Sequence, residues 1–171
     1  RRAAALYADA TNMTERQGAL VCLLRAGKGQ GELADFYQRF RANRLVIDKW
    51  FALQATNAAP DQAVTVARTL AEHPDFEWKN PNRFRALLGG LSGNHAGFHH
   101  ASGAAYDFYA DWLIRLDPLN PQTAARMATA FATWARYDAA RQAKARAAIE
   151  RILAAPGLSR DSGEILGRIL G

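Results

Sequence analysis

The sequence predicts an all-α protein of stacked antiparallel helix pairs that form a curved, HEAT- or armadillo-like superhelix, and three observations carry that prediction. Apolar residues recur at helical spacing almost from end to end, and alternating strand patterns are absent. Helix starts fall near residues 60, 80, 102, 120, 138 and 159, so two helices make a unit of roughly forty residues, within the ~34 to 47 of helical repeats. Two of these starts share one punctuation, Asn80-Pro81 and Asn120-Pro121. An Asn side chain accepts from free N–H groups of a helix's first turn, and a Pro there lacks an N–H that would need a partner. The residues inside the units are not otherwise repetitive, and a plain helical bundle is the competing architecture.

The elements follow in order. Arg1-Arg2-Ala3-Ala4-Ala5-Leu6-Tyr7 begins in mid-helix, without a start signal. Thr14-Glu15-Arg16-Gln17 has the form of a capping box ahead of the stripe Ala19, Leu20, Leu23 and Leu24. That helix stops at Gly27, and Gly27 to Gly31 forms a turn. A helix from Glu32 to about Ala42 turns Leu33, Phe36, Tyr37 and Phe40 inward, and another from near Leu45 carries Val46, Trp50 and Leu53. Pro60 opens a helix with Val64, Ala67 and Leu70 inside, closed by His73-Pro74. Asn80 caps a helix with Phe84, Leu87, Leu88 and Leu91 that runs out among Gly89, Gly90 and Gly93. From Ser102, the residues Tyr106, Tyr109, Leu113 and Leu116 line a face as far as Asp117-Pro118. Asn120 caps a helix burying Ala124, Met127, Phe131 and Trp134, Asp138 caps a long one ending at Pro156-Gly157, and Ser159 starts the last, with Ile165, Leu166, Ile169 and Leu170 inward.

A chain of 171 residues with 49% hydrophobic and 22% charged residues can bury one sizeable core. No apolar run approaches the ~18 residues needed to cross a bilayer, and an apolar signal-peptide region is absent, so no membrane partner is expected. The single cysteine, Cys22, lies among Leu and Val, reads as a core residue and fits a reducing cytoplasm. The net charge is +6, with twelve Lys/Arg against seven Asp/Glu in residues 79 to 171 and ten against nine before them. A basic half can attract nucleic acid or an acidic protein, which makes a free-standing basic helical-repeat module the alternative function. Arg141, Lys144, Ala148 and Arg151 share one face of the helix after Asp138 and read as a solvated face, which argues against that alternative.

Few residues carry chemistry. His95 and His99 stand four apart, the spacing that offers two nitrogens to zinc from one helix. The residue after the first His is Ala96 rather than the Glu a zinc peptidase needs, Gly97 disfavours the helix, and no third ligand is apparent, so these histidines read as capping or packing groups. Gly27, Gly29 and Gly31 lack the preceding strand and the Gly-Lys-Ser/Thr of a phosphate loop. The aromatic residues lie on helical stripes as core. No catalytic residue and no metal ligand is therefore expected within the chain. Asn82, Arg83 and Arg85 sit in the first turn and a half of a helix, where free N–H groups and guanidinium forks suit a carboxylate. They also fit a supported cap whose arginines pair with acids of the domain.

Asn12-Met-Thr-Glu-Arg16, Asn43 through Thr56, His73-Pro-Asp-Phe through Asn80-Pro-Asn-Arg-Phe-Arg85, Phe98-His99, Asn120-Pro-Gln122 and Arg136-Tyr-Asp-Ala-Ala-Arg-Gln142 together resemble the C-terminal domain of the bacterial aminopeptidase N family. The likeness runs in order over nearly the whole chain. It implies a fragment, a single C-terminal helical-repeat domain over 1–171, of an M1-type zinc metallopeptidase that removes N-terminal amino acids from peptides. That family's His-Glu-x-x-His helix, its downstream Glu and its Gly-x-Met-Glu-Asn strand do not occur here. The resemblance thus implies a non-catalytic part, without zinc of its own, that closes over an active site built elsewhere and walls the peptide cavity. Its partners would be the catalytic domain of the same polypeptide and the peptide substrate, with no nucleic acid. Asn82 and Arg83 match the family's Asn-Pro-Asn-Arg motif and are its candidates for the cavity side, with Arg85 beside them.

Overall fold

The computed structural model describes residues 1–171, all helices and connecting turns. The helices are α1 Arg2–Asp9, α2 Met13–Arg25, α3 Gln30–Phe40, α4 Arg44–Asn57, α5 Ala63–Ala71, α6 Pro81–Phe84, α7 Gly90–Gly93, α8 His95–Phe98, α9 Ala104–Leu116, α10 Pro121–Ala128, α11 Ala139–Leu153 and α12 Arg160–Leu170. A π-turn, Arg85–Gly89, joins α6 to α7, and a 3₁₀ segment, Thr129–Arg136, extends α10.

Packing is sequential, as in a stacked array. The helix α4 lies against α2, α3, α5 and the 81–93 segment; α5 meets α9, α9 meets α10 and α11, and α12 closes on α10 and α11. One continuous core runs through the stack, from Leu20 and Phe36 through Phe51, Phe84 and Tyr106 to Phe131, Ile149 and Leu166, all with no accessible surface. Gly90 lets α7 approach α4, since a Cβ there would stand 3.0 Å from the carbonyl oxygen of Ala52.

Side-chain caps account for most helix starts. Asn43, Asn80, Asn120, Asp138 and Ser159 each accept from an N–H of the first turn. The α2 cap is Asn12 rather than Thr14: its Oδ1 accepts from the N–H of Glu15, whose carboxylate accepts in return from the N–H and hydroxyl of Thr11. Pro60 lies in a turn, and α5 begins only at Ala63.

Other expectations shift for physical reasons. On α4 the fully covered face is Ile47, Phe51 and Ala55, because the helix meets neighbours on two sides; Val46 and Leu53 are half-buried at its margin. Cys22 is exposed rather than part of the core. The cationic face of α11 is not simply solvated. Arg141 Nε donates to the carbonyl of His99 at 2.7 Å, Lys144 Nζ to that of Ala101 at 2.5 Å, and Arg151 bonds Asp111 and the carbonyl of Asp107, with Ala148 buried between them. These cations bind α11 to α9 and to the turn before it. The Asn120 helix also changes pitch after Ala128, and its 3₁₀ turns carry Phe131 and Trp134 inward; Trp134 Nε1 donates to the carbonyl of Ile169 at 2.9 Å.

Candidate functional site

The Asn80-Pro-Asn-Arg sequence divides its polar residues between two environments. Asn80 Oδ1 accepts from the N–H of Asn82 at 3.0 Å and so starts α6. Asn82 and Arg85 are exposed and joined to each other, Arg85 Nη2 donating to Asn82 Oδ1 at 2.7 Å. Arg83 points the other way and is 3% exposed. Its Nε meets Asp48 Oδ1 at 2.6 Å, its Nη1 donates to the carbonyl of Asp75, and its guanidinium lies 5.2 Å from the Phe51 ring centroid. Arg83 therefore ties α6 to α4 and to the turn after α5, and its fork is occupied. The sequence placed Arg83 with Asn82 and Arg85; one residue of helical rotation separates a buried strut from two surface groups.

A concavity lies at the opposite end of the same segment. Gly89, Ser92 and Gly93 form one side of an open cleft of about 510 Å³, and Arg126, Thr133 and Arg136, from α10 and its 3₁₀ extension, form the other. His95, His99 and Tyr137 close one end. No carboxylate lines it, and neither Arg126 nor Arg136 has an acidic partner. Tyr109 sits beneath, its hydroxyl donating to the carbonyl of Met127 at 2.6 Å, and its burial pushes the phenol well above its ordinary range. The floor is thus a neutral, fixed group, and the rim is cationic. Such an arrangement suits a ligand with a negative charge and hydrogen-bonding groups along its length.

His99 divides this cleft from a second one of about 470 Å³ on its far side, lined by Pro60, His100 and Arg141; His95, His99 and Tyr137 face both. The imidazole stacks on the Tyr137 ring at 3.9 Å, and its Nδ1 lies 2.6 Å from the Tyr106 hydroxyl. Burial, then the neighbouring His95 and Arg141, depresses its pKa to about 4, and burial raises that of Tyr106 to about 12. At neutral pH both groups are uncharged, and one hydrogen bond joins the Tyr106 hydroxyl to Nδ1 of a neutral His99, whose Nε2 lies 3.4 Å from Thr133 Oγ1.

Despite Gly97, His95–Phe98 forms a single helical turn, because Asn94 caps it and anchors it by donating to the carbonyls of Ala55 and Ala58. The glycine is needed for packing: a Cβ there would lie 2.5 Å from that of Ala63. The two histidines do not fit zinc. His95 is exposed, His99 spends Nδ1 on Tyr106, and no group of three or more His, Cys, Asp or Glu side chains converges anywhere in the chain.

Sequence reasoning missed Arg126, Thr133 and Arg136 as site residues. Their signal was weak: polar residues bordering an apolar stripe, two of them close to the Asn120 and Arg136 segments that carried the family resemblance.

Residues 1–171 match the family described as "Domain of unknown function (DUF3458_C) ARM repeats". The chain is 40% identical over 167 residues to Aminopeptidase N of Haemophilus influenzae and 40% identical over 168 residues to that of Caulobacter vibrioides, in each case covering 96% of this chain and 19% of the relative. It is 38% identical over 166 residues to Aminopeptidase N of Escherichia coli, covering 95% of this chain and 19% of the relative. The chain thus spans about a fifth of the length of these relatives. Among solved structures it is similar to Legionella pneumophila aminopeptidase A in complex with aspartic acid, with a TM-score of 0.91 and 31% identity over 99% of this chain and 20% of that one.

Proposed function

Because the chain belongs to the DUF3458_C family of ARM-repeat domains, we propose that it serves as the non-catalytic C-terminal domain of a zinc-dependent, M1-type aminopeptidase N, closing over the active site and walling the peptide cavity. The parent enzyme would be a larger cytoplasmic polypeptide that releases N-terminal amino acids from peptides. Residues 1–171 would form one domain of it, with the zinc and the reacting groups supplied by the remainder. The observation that carries this reading is the cleft between Gly89–Gly93 and Arg126–Arg136, whose two arginines lack acidic partners and face open space. A peptide held by its N-terminus at an active site elsewhere would extend its backbone and its terminal carboxylate along such a wall. Asn82 and Arg85, exposed at the far end of the same helical segment, would extend the wall, and Arg83 would support it from within.

The test is a chimaera in which this chain replaces the matching segment of the Caulobacter enzyme. Arg126→Ala with Arg136→Ala should lower kcat/KM for tetrapeptides by about tenfold, the loss of ~1.4 kcal/mol of charge-assisted contact, and leave alanyl p-nitroanilide within about twofold. Equal effects on both substrates, or none, would refute the cavity role. The isolated chain with added zinc should give no turnover of alanyl p-nitroanilide.

A further inference from the structure

A third, smaller cavity of about 260 Å³ lies between the turn joining α2 to α3 and the turn joining α4 to α5, and it shares no residue with either cleft. It brings Arg25 and Lys28 together with the amides of Gln54 and Asn57, over an apolar surface that includes Leu24 and Leu33. No carboxylate lines it, and no acidic side chain lies within ion-pair distance of either cation.

Arg25 is held in a fixed orientation. Its Nε donates to Asn57 Oδ1 at 3.0 Å, and Asn57, 9% exposed, donates its Nδ2 to the carbonyl of Leu53 at 2.9 Å. The last turn of α4 thus orients the asparagine, and the asparagine fixes the plane of the guanidinium. The two terminal nitrogens of Arg25 have no partner in the chain. Arg83 provides the contrast, because it spends its fork on Asp48 and the Asp75 carbonyl and leaves nothing for a ligand. A guanidinium pinned through Nε presents parallel donors in the geometry that a carboxylate accepts bidentately. Fixing it in advance removes part of the ordering cost of binding.

We propose that this notch is a binding site for a small carboxylate carrying a short apolar body, such as the C-terminal portion of an amino acid or dipeptide. Arg25 grips the carboxylate, Lys28 adds charge, and Leu24 and Leu33 cover the apolar part. The volume is below the ~300 Å³ at which pockets for drug-sized ligands begin, which limits the occupant to one or two residues. The proposal does not depend on the role assigned to the cleft.

Amide NMR of the ¹⁵N-labelled chain, titrated with N-acetyl-leucine and with N-acetyl-leucinamide, tests it. The acid should shift Gly27, Lys28, Gln54 and Asn57, and the amide, which lacks the carboxylate, should bind about tenfold more weakly. Arg25→Lys keeps the charge and loses the fork; Lys28→Gln alters an exposed side chain that makes no hydrogen bond or ion pair in the fold. Each should weaken the acid by about fivefold and leave the amide unchanged. Equal binding of acid and amide, no shift at these residues, or wild-type affinity in Lys28→Gln would overturn the site. Shifts confined to Arg126, Thr133 and Tyr137 would also overturn it, and would report the larger cleft instead. If an acidic side chain of an adjoining domain were the natural occupant, the Caulobacter chimaera would show no Lys28-dependent binding of N-acetyl-leucine, which likewise overturns the free-ligand proposal.

Discussion

Arg83 brings a positive charge into the interior, and its compensation is local: one carboxylate on α4, one backbone carbonyl and one aromatic face. Removing the guanidinium leaves Asp48, 18% exposed at its side chain, facing a void. Arg83→Ala should therefore cost about 3 kcal/mol in urea unfolding, the penalty for breaking a buried pair. Arg85→Ala, on the surface, should cost under ~0.5 kcal/mol. His99 supplies a pH dependence with a definite sign. Its folded pKa, about 4, lies below the ordinary 6.5, so between those values the unfolded chain binds the extra proton. The stability this group contributes is complete above pH 6.5, falls as pH falls toward 4, and changes no further below that. Tyr106, Tyr137, His95 and Arg141 surround the ring, and none of them is an acid that would offset the trend. Urea midpoints at pH 7 and pH 5 should differ more in the wild type than in His99→Gln. At this scale the sequence was only partly legible. The stripes named most of the core, yet the orientation of Arg83, the exposure of Cys22 and the unpaired state of Arg126 depend on neighbours distant along the chain.

Four helix starts were legible because caps are local: Asn80, Asn120, Asp138 and Ser159 act within three residues of themselves, whereas the caps Asn12 and Asn43 were not singled out. The π-turn at Arg85–Gly89 and the 3₁₀ pitch of Thr129–Arg136 were not, since both accommodate contacts with other helices rather than expressing propensity. Gly90→Ala tests the close approach of α7 to α4. The added methyl would press on the backbone of α4 and should cost about 1 to 3 kcal/mol, whereas Gly93→Ala, with open space around it, should be neutral or stabilise by up to about 1 kcal/mol in thermal unfolding. At the end of the stack, the carboxylate of Asp117, 2% exposed, accepts from the N–H and hydroxyl of Ser159 and the hydroxyl of Ser162. Asp117→Ala removes the acceptor for all three. It should loosen α12 selectively, seen as faster amide hydrogen exchange across Arg160–Leu170 than across α4.

For the molecule as a whole, the +6 charge gives less information than its distribution. The cationic row on α11 is spent on carbonyls and carboxylates of neighbouring elements, whereas Arg126 and Arg136, and separately Arg25 and Lys28, line two concavities that contain no acid. No helix is long and apolar enough to cross a membrane. The overall architecture was legible because spacing and punctuation repeat along the chain. The clefts were not, because each is made where successive helices fail to close on one another. The His99–Tyr137 stack stands between two of these spaces and belongs to both. A wall shared in this way makes its two faces thermodynamically linked. Any occupant that tilts the rings from one side changes the affinity of the other side by some factor, and an occupant of the second side must change the first by the same factor.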